Sequence, residues 1–357
     1  MRGVTCVLVT GVGGRSVGHQ ILSALERVRD RYRVVATDAD RFSFGLYAAD
    51  ARYLVPSARD PKYLPAIFEI VERERVQVVL PGTEAELRVL AAARAELQSR
   101  GCALIASEPA IVDRCLNKAT LSRWLTEHGY LAPQTADAGG WADLAARVGY
   151  PLVGKPSEES GGSKGVEILA DEDEVRRFVD LHARRGTAVL VQEYVGTPET
   201  EYTVGVMVDA GGRLIDSIVL HRRLSGLSLG ASRVIDGTWY ALSTGYSQGF
   251  IETQARIAAT CEALALEMGV RGPANIQLRL DGEAVKIFEV HPRFSGTTSI
   301  RADCGFNEPD VLIRNLLFGE AVGRLDYQRD VAAIRAFQTV IVPRAQLDAV
   351  ARPGQGA

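Results

Sequence analysis

Two short runs late in the chain carry the side chains best suited to hold a cation beside a phosphate: Asn275-Ile276-Gln277 and Glu289-Val290-His291-Pro292-Arg293. Their alternating pattern and the Asp281-Gly282 turn between them predict two antiparallel strands. Alternate residues of a strand share a face, so Gln277, Glu289 and His291 are expected to converge beside Arg293 and Ser295. Magnesium takes hard oxygen ligands and few of them from protein, keeping phosphates and water for the rest. Glu289 and Gln277 suit that role, and Arg293 suits negative charge developing on a transferring phosphoryl group or tetrahedral intermediate. Taken singly, each has a plainer reading: a lone histidine is usually a structural hydrogen bonder and a strand glutamate is usually solvated.

Three upstream segments could serve the same chemistry. Lys155-Pro156 ends an apolar strand and opens a loop from Ser157 to Gly165, in which Ser160, Gly161, Gly162 and Ser163 could cover a polyphosphate with backbone and hydroxyl donors. The acidic pair Glu158-Glu159 in that loop is expected to face solvent. Leu190 to Gly196 is an apolar strand running into a further unit, and an extended segment there can offer one C=O and one N–H to an adenine edge. Glu201 just beyond could accept from ribose hydroxyls; its plain reading is a surface glutamate on a buried strand. Nearer the N-terminus, Gly11-Val12-Gly13-Gly14-Arg15-Ser16-Val17-Gly18 follows a strand and opens a helix, with Asp38 ending the next strand. That looks like a dinucleotide-binding turn, although its GxGGxxxG spacing departs from the regular GxGxxG. A plain structural turn, or a site for a substrate carboxylate or phosphate at the helix end, is the preferred reading of these residues.

These groups need elements to position them. Residues 1–115 alternate apolar runs (Val4–Val9, Arg33–Thr37, Val76–Leu80, Cys102–Ala106) with amphipathic segments, which predicts a parallel sheet with helices on its faces. A short helix from Asn117 ends at Gly129, with Pro133 after it, and marks a change of unit near residue 115. Residues 116–196 read as a small α+β unit: a strand at Pro151–Lys155, the glycine loop, a helix at Glu172–Arg184 and a strand at Val189–Val195. Residues 197–345 read as a larger antiparallel α+β unit with strands at Glu201–Asp209, Leu214–Leu220, Ala274–Leu280 and Val285–Val290 around a helix from Glu252 to Met268. Residues 346–357 read as a loose tail.

Composition narrows the function classes. The chain has 357 residues, 46% hydrophobic and 24% charged, and a formal net charge of −3 with both signs interspersed. That excludes a basic footprint for nucleic acid or acidic membranes and leaves small molecules as the expected partners. The five cysteines lie far apart with no zinc spacing, which fits a reduced, cytoplasmic setting, and no targeting or membrane segment is apparent. Loop residues Glu84, Glu86, His221–Arg223, Ser232-Arg233 and Arg301 are further candidates for reading a substrate charge. The oligomer is left open, with a homodimer as the common form.

Taken in order, Lys118, Lys155-Pro156, the Ser/Gly loop, Gln192-Glu193-Tyr194, Glu201-Tyr202-Thr203, Asn275-Ile276-Gln277 and Glu289-x-His291-Pro292-Arg293-x-Ser295-Gly296 resemble the ATP-grasp superfamily, in the branch similar to half of a carbamoyl-phosphate synthase large subunit and to amino-acid ligases. The resemblance covers roughly residues 4 to 325. It implies a Rossmann-like pre-ATP-grasp domain whose glycine loop faces the substrate rather than NAD, a small lid domain, and a larger antiparallel domain with ATP between the two. It implies that Lys118 and Lys155 contact ATP phosphates, that Ser160–Ser163 cover them, and that the Gln192–Val195 segment offers backbone to adenine at Glu193 and Val195. Glu201 would hold ribose, Gln277, Glu289 and His291 would face Mg²⁺ or Mn²⁺, two ions in the family, and Lys155 and Arg293 would neutralise the reacting groups. The implied reaction is ATP-dependent joining of a carboxylate to an amine, both amino-acid-like, through an acyl phosphate. One departure stands out: His291 replaces the asparagine usual in Glu-x-Asn-Pro-Arg, and it either selects a softer ion or hydrogen-bonds through water. An NAD-dependent oxidoreductase and a non-catalytic ATP-binding regulator remain as rivals. A carbamoyl-phosphate-forming activity fits less well, since only one ATP-grasp copy is present.

Overall fold

The computed structural model describes residues 3–157 and 165–354. The first unit is a five-stranded parallel sheet of order β3-β2-β1-β4-β5, formed by Thr5–Thr10 (β1), Tyr32–Asp38 (β2), Ala51–Leu54 (β3), Val78–Leu80 (β4) and Ala103–Leu104 (β5). Every residue of β1 is buried, because helices cover both faces of the sheet; a central parallel strand therefore reads as an unbroken apolar run. Helices Val17–Glu26 (α1), Tyr63–Glu74 (α2), Glu84–Ala92 (α3), Arg94–Ser99 (α4) and Pro109–Leu116 (α5) flank it. The amphipathic stretch that carries Leu87, Leu90 and Leu97 forms two helices, α3 and α4, that meet at Ala93, and β3 was not foreseen, since its four residues are too few to show alternation.

The small unit begins after Lys118–Glu127 (α6), whose N-cap Asn117 accepts from Thr120 N at 2.9 Å. Its sheet, of order β6-β9-β7-β8, comprises Thr135–Asp137 (β6), Leu152–Pro156 (β7), Glu167–Leu169 (β8) and Val189–Glu193 (β9). Trp141–Val148 (α7) and Glu172–Arg184 (α8) pack on it around Leu144, Leu152, Val175 and Phe178, a core of its own. Asp171 caps α8 by accepting from Glu174 N at 2.9 Å.

The large unit is built on an antiparallel sheet, β16-β15-β10-β11-β14-β17, plus a two-stranded hairpin, β12-β13. The strands are Glu201–Val208 (β10), Leu214–Arg222 (β11), Leu229–Ile235 (β12), Thr238–Ser243 (β13), Gly249–Glu252 (β14), Gly272–Asp281 (β15), Ala284–His291 (β16) and Val331–Ala333 (β17). Glu252 belongs to β14, so the long helix, Ala255–Met268 (α9), starts three residues later than its periodicity suggests. The hairpin escaped sequence reading because most of its residues are exposed and no apolar face marks it.

Thr298–Asp303 (α10) and Glu308–Phe318 (α11) cover the other face of the large sheet and pack against α1. One apolar core runs through both units, joining Val9, Ile21 and Leu25 to Ile218, Ile300, Phe306 and Leu312. Polar contacts cross the same junction: Tyr32 Oη donates to Asp310 at 2.8 Å and Asn307 Nδ2 to Ala24 O at 2.8 Å. The glycine loop before α1 is thereby fixed against the large sheet. All five cysteines are buried and free, and among the described residues no helix is long and apolar enough to cross a membrane.

Candidate functional site

β15 and β16 align Gln277 with Glu289 and Asn275 with His291. The side chains meet: Gln277 Nε2 donates to Glu289 Oε2 at 3.1 Å and His291 Nε2 lies 3.0 Å from the same oxygen. Burial raises the Glu289 carboxyl, but His291, Lys155 and Lys118 outweigh it and hold the group down at about 2, so it is ionised across the physiological range. A permanently charged carboxylate beside an amide is a suitable oxygen donor pair for a hard cation that keeps phosphate ligands. Among the described residues, no group of three or more His, Cys, Asp or Glu side chains is arranged to hold a metal.

His291 has a different setting from the one its motif suggests. Its Nδ1 lies 3.0 Å from Glu84 Oε1, opposite the Glu289 contact on Nε2, so the ring sits between two carboxylates. Burial and Arg293 oppose the imidazolium, yet the two carboxylates raise its pKa above the usual histidine range. Both contacts are direct and need no intervening water. Glu84 also receives Arg293 Nη2, and the two cations hold its carboxyl well below the usual range despite burial. Glu84, on the first unit, therefore touches two residues of the Glu289–Arg293 run. Sequence reading named it only as a loop charge; it is the first residue of α3, after the Thr83 N-cap.

Lys155 is buried at the end of β7, where its Nζ donates to Gln192 Oε1 on β9 at 2.8 Å. Burial pushes the ammonium down to about 8, helped by Lys118 and opposed by Glu289. Lys118 occupies the first position of α6, where the helix dipole disfavours a cation. Gln192 Nε2 continues the chain to Thr135 Oγ1 at 2.8 Å. Ser160, Gly161, Gly162 and Ser163, with Glu158-Glu159, lie outside the described residues.

In the Glu193–Val195 segment, Glu193 N donates to Gln134 O at 2.9 Å and Val195 O accepts from Arg279 at 3.2 Å. An adenine edge would have to use the opposite groups, the Glu193 carbonyl and the Val195 N–H. The Glu193 carboxylate is tied to Lys286 Nζ at 2.8 Å, and Tyr194 Oη donates to Ala241 O at 3.0 Å, pinning the β12-β13 hairpin to this segment.

Glu201 is not the surface glutamate of its plain reading: it is 1% exposed and clamped by Arg222 (2.8 Å) and Arg279 (2.8 Å). Those two arginines hold the carboxyl below its usual range against the effect of burial. Sequence reading could not find the clamp, because the three residues lie on three adjacent strands joined only by register: β10, β11 and β15. Arg222 also donates to Gln277 Oε1 at 3.1 Å. Of the other charges singled out, Arg301 is buried against Glu308 (2.9 Å) and Asn275 (2.7 Å) and faces no opening, while Arg233 pairs with Glu174 of α8 at 2.5 Å.

Two cavities meet at these groups. One, of about 250 Å³, lies between the first and large units and is lined by Arg15, Lys118, Arg222, Glu289, His291 and Arg293. The other, of about 80 Å³, is lined by Lys155, Glu193, Val195, Glu201, Leu242 and Phe288. Gln277, Glu289 and Val166 line both. The end of α1 and its Arg15-Ser16 approach thus open onto the β15-β16 groups, whereas Asp38 accepts from Asp40 N at 3.0 Å in its own turn.

Residues 7–105 match the family described as PylC-like, N-terminal domain, and residues 185–340 match ATP-grasp in the biosynthetic pathway with Ter operon. Among curated proteins, the carbamoyl phosphate synthase large chain of Pseudomonas putida is 25% identical over 279 residues, 76% of this chain and 25% of that protein. The chain thus spans about a quarter of the length of that relative. Among solved structures, N5-carboxyaminoimidazole ribonucleotide synthetase in its ADP complex superimposes with a TM-score of 0.65 at 16% identity, covering 92% of this chain and 80% of the other. An L-amino acid ligase from Bacillus licheniformis gives 0.62 at 17% identity, covering 89% and 75%.

Proposed function

We propose that this chain, whose residues 185–340 match an ATP-grasp family, is an ATP-dependent carboxylate–amine ligase that forms an amide through an acyl phosphate and releases ADP and phosphate. The observation that carries this reading is the junction of the two cavities at Gln277 and Glu289, with Lys155, Lys118, Arg222 and Arg293 around it. The narrow apolar cavity suits a nucleotide base against Leu242 and Phe288, and the phosphates would then lie toward the shared wall. Lys118, held against its helix dipole, and Lys155, buried with one hydrogen bond to Gln192, are cations whose cost a polyphosphate would offset.

In the reaction, a substrate carboxylate oxygen attacks the γ-phosphorus, the bond to the β-bridging oxygen breaks and ADP leaves. The amine then attacks the acyl carbon, loses a proton, and expels phosphate. Lys155 and Arg293 neutralise the phosphoryl oxygens, and the wall formed by the first unit keeps water from the acyl phosphate. Glu289 and Gln277 are the residues that would hold a magnesium ion, which when bound would neutralise phosphate charge. This reading leaves His291 out of that set, since its ring faces two carboxylates at 3.0 Å.

The larger cavity opens onto Arg15 and Ser16, so the carboxylate substrate would enter between the first and large units. The test is release of ADP from MgATP by purified protein over a panel of amino-acid carboxylates and amines. Release that depends on both partners supports the proposal. ATP binding with no ADP release from any pair would refute it in favour of a regulatory ATP-binding role.

A further inference from the structure

Arg293 is oriented by few contacts. Its Nη1 donates to the neighbouring Phe294 O at 2.8 Å, its Nη2 to Glu84, and its buried Nε has no partner among the described residues. The local carbonyl follows the arginine's own backbone and cannot fix it relative to the rest of the cavity. Glu84 can, because it sits on α3 of the first unit, which shares its core with the large sheet. The same carboxylate oxygen lies 3.0 Å from His291 Nδ1, and the His291 ring passes the contact on to Glu289 Oε2 at 3.0 Å. Glu84 is only 14% exposed, so little water competes for these contacts.

We propose that Glu84 is a positioning residue: from the first unit it sets the Arg293 guanidinium and the His291–Glu289 pair toward the terminal phosphate and the reacting carboxylate. The inference rests on the ligase reading for its catalytic part. It also accounts for the histidine: one imidazole ring lies 3.0 Å from both Glu84 and Glu289, one nitrogen toward each, whereas an asparagine has a single amide nitrogen to offer the two. The plainer role for Glu84, an acidic residue in the first turn of a helix, concerns stability alone.

The roles part in sign. Glu84→Gln removes a negative charge close to a phosphate site, so a bystander carboxylate would leave the variant binding phosphate more tightly. A positioning residue would leave it binding the terminal phosphate more weakly, because Arg293 is released. The experiment measures dissociation constants for ADP and for β,γ-methylene-ATP, each with Mg²⁺, in wild-type, Glu84→Gln, Arg293→Ala and the double variant, together with thermal midpoints. Expected is a weakening of about tenfold for the ATP analogue, little change for ADP, and no further loss when Glu84→Gln is added to Arg293→Ala. Tighter analogue binding, equal effects on both nucleotides, or additive losses would overturn the proposal. These readouts need no turnover, so they stand apart from the ligase test. With an active substrate pair, kcat should fall while KM for ATP moves less; a lowered thermal midpoint with unchanged kcat would mark a purely structural role.

Discussion

Lys155 offers the sharpest quantitative test of the nucleotide site. Its ammonium is buried and pushed down to about 8 by burial and by Lys118, against the pull of Glu289. Of its three donors, one meets Gln192, which leaves two for a phosphate. If bound phosphate holds the lysine charged throughout, binding above pH 8 must supply the proton, and affinity falls tenfold for each pH unit. Between pH 7 and pH 10 the protonated fraction of the free protein drops by about 90-fold for a pKa of about 8, or about 2.7 kcal/mol. The assay is isothermal titration with MgATP at pH 7, 8, 9 and 10, in wild-type and in Lys155→Arg, whose guanidinium stays charged over that range. The wild-type affinity should bend downward near pH 8 and the variant should not. A flat wild-type profile, or parallel losses in both proteins, would refute the assignment of Lys155 to a phosphate.

Two further perturbations follow from buried charges. Glu86 lies beneath the glycine loop, where burial and Asp38 push its carboxyl up to about 7 against hydrogen bonds from Thr83, Thr10 and Tyr63. The fold therefore prefers the neutral acid: its contribution is fully present below about 4.5 and lost as pH rises through about 7. Glu86→Gln should accordingly raise the thermal midpoint at pH 8, and a midpoint that falls at pH 8 would contradict the buried-acid assignment. Glu201→Gln strips the carboxylate from between Arg222 and Arg279 and leaves two buried cations short of a partner. Urea unfolding should show a loss of about 3–5 kcal/mol, and a loss under about 1 kcal/mol would mean that the clamp carries little of the fold's stability.

The sequence alone settled whatever is written in local order. The parallel sheet of the first unit is legible because a strand buried on both faces must be continuously apolar, as Thr5–Thr10 is. The two strands that carry Gln277 and Glu289 are legible from their two-residue period and the tight turn between them, although a register shift next to Gln277, and not the turn, brings the pair face to face. The hairpin at 229–243 was not, since its exposed residues carry no burial signal.

What tertiary structure decided is which charges are spent on one another. Arg222, Glu201 and Arg279 come together through strand register, and Arg301 meets Glu308 and Asn275 in the interior; neither grouping leaves a mark in spacing. Glu84 and His291 lie more than two hundred positions apart, and only the docking of the first unit against the large sheet brings them within 3.0 Å. A carboxylate's chemistry depends on the charges around it and on the water it has lost, and both are properties of packing rather than of sequence. His291 therefore reads as a cation ligand in its motif and as a bridge between two carboxylates in the folded chain.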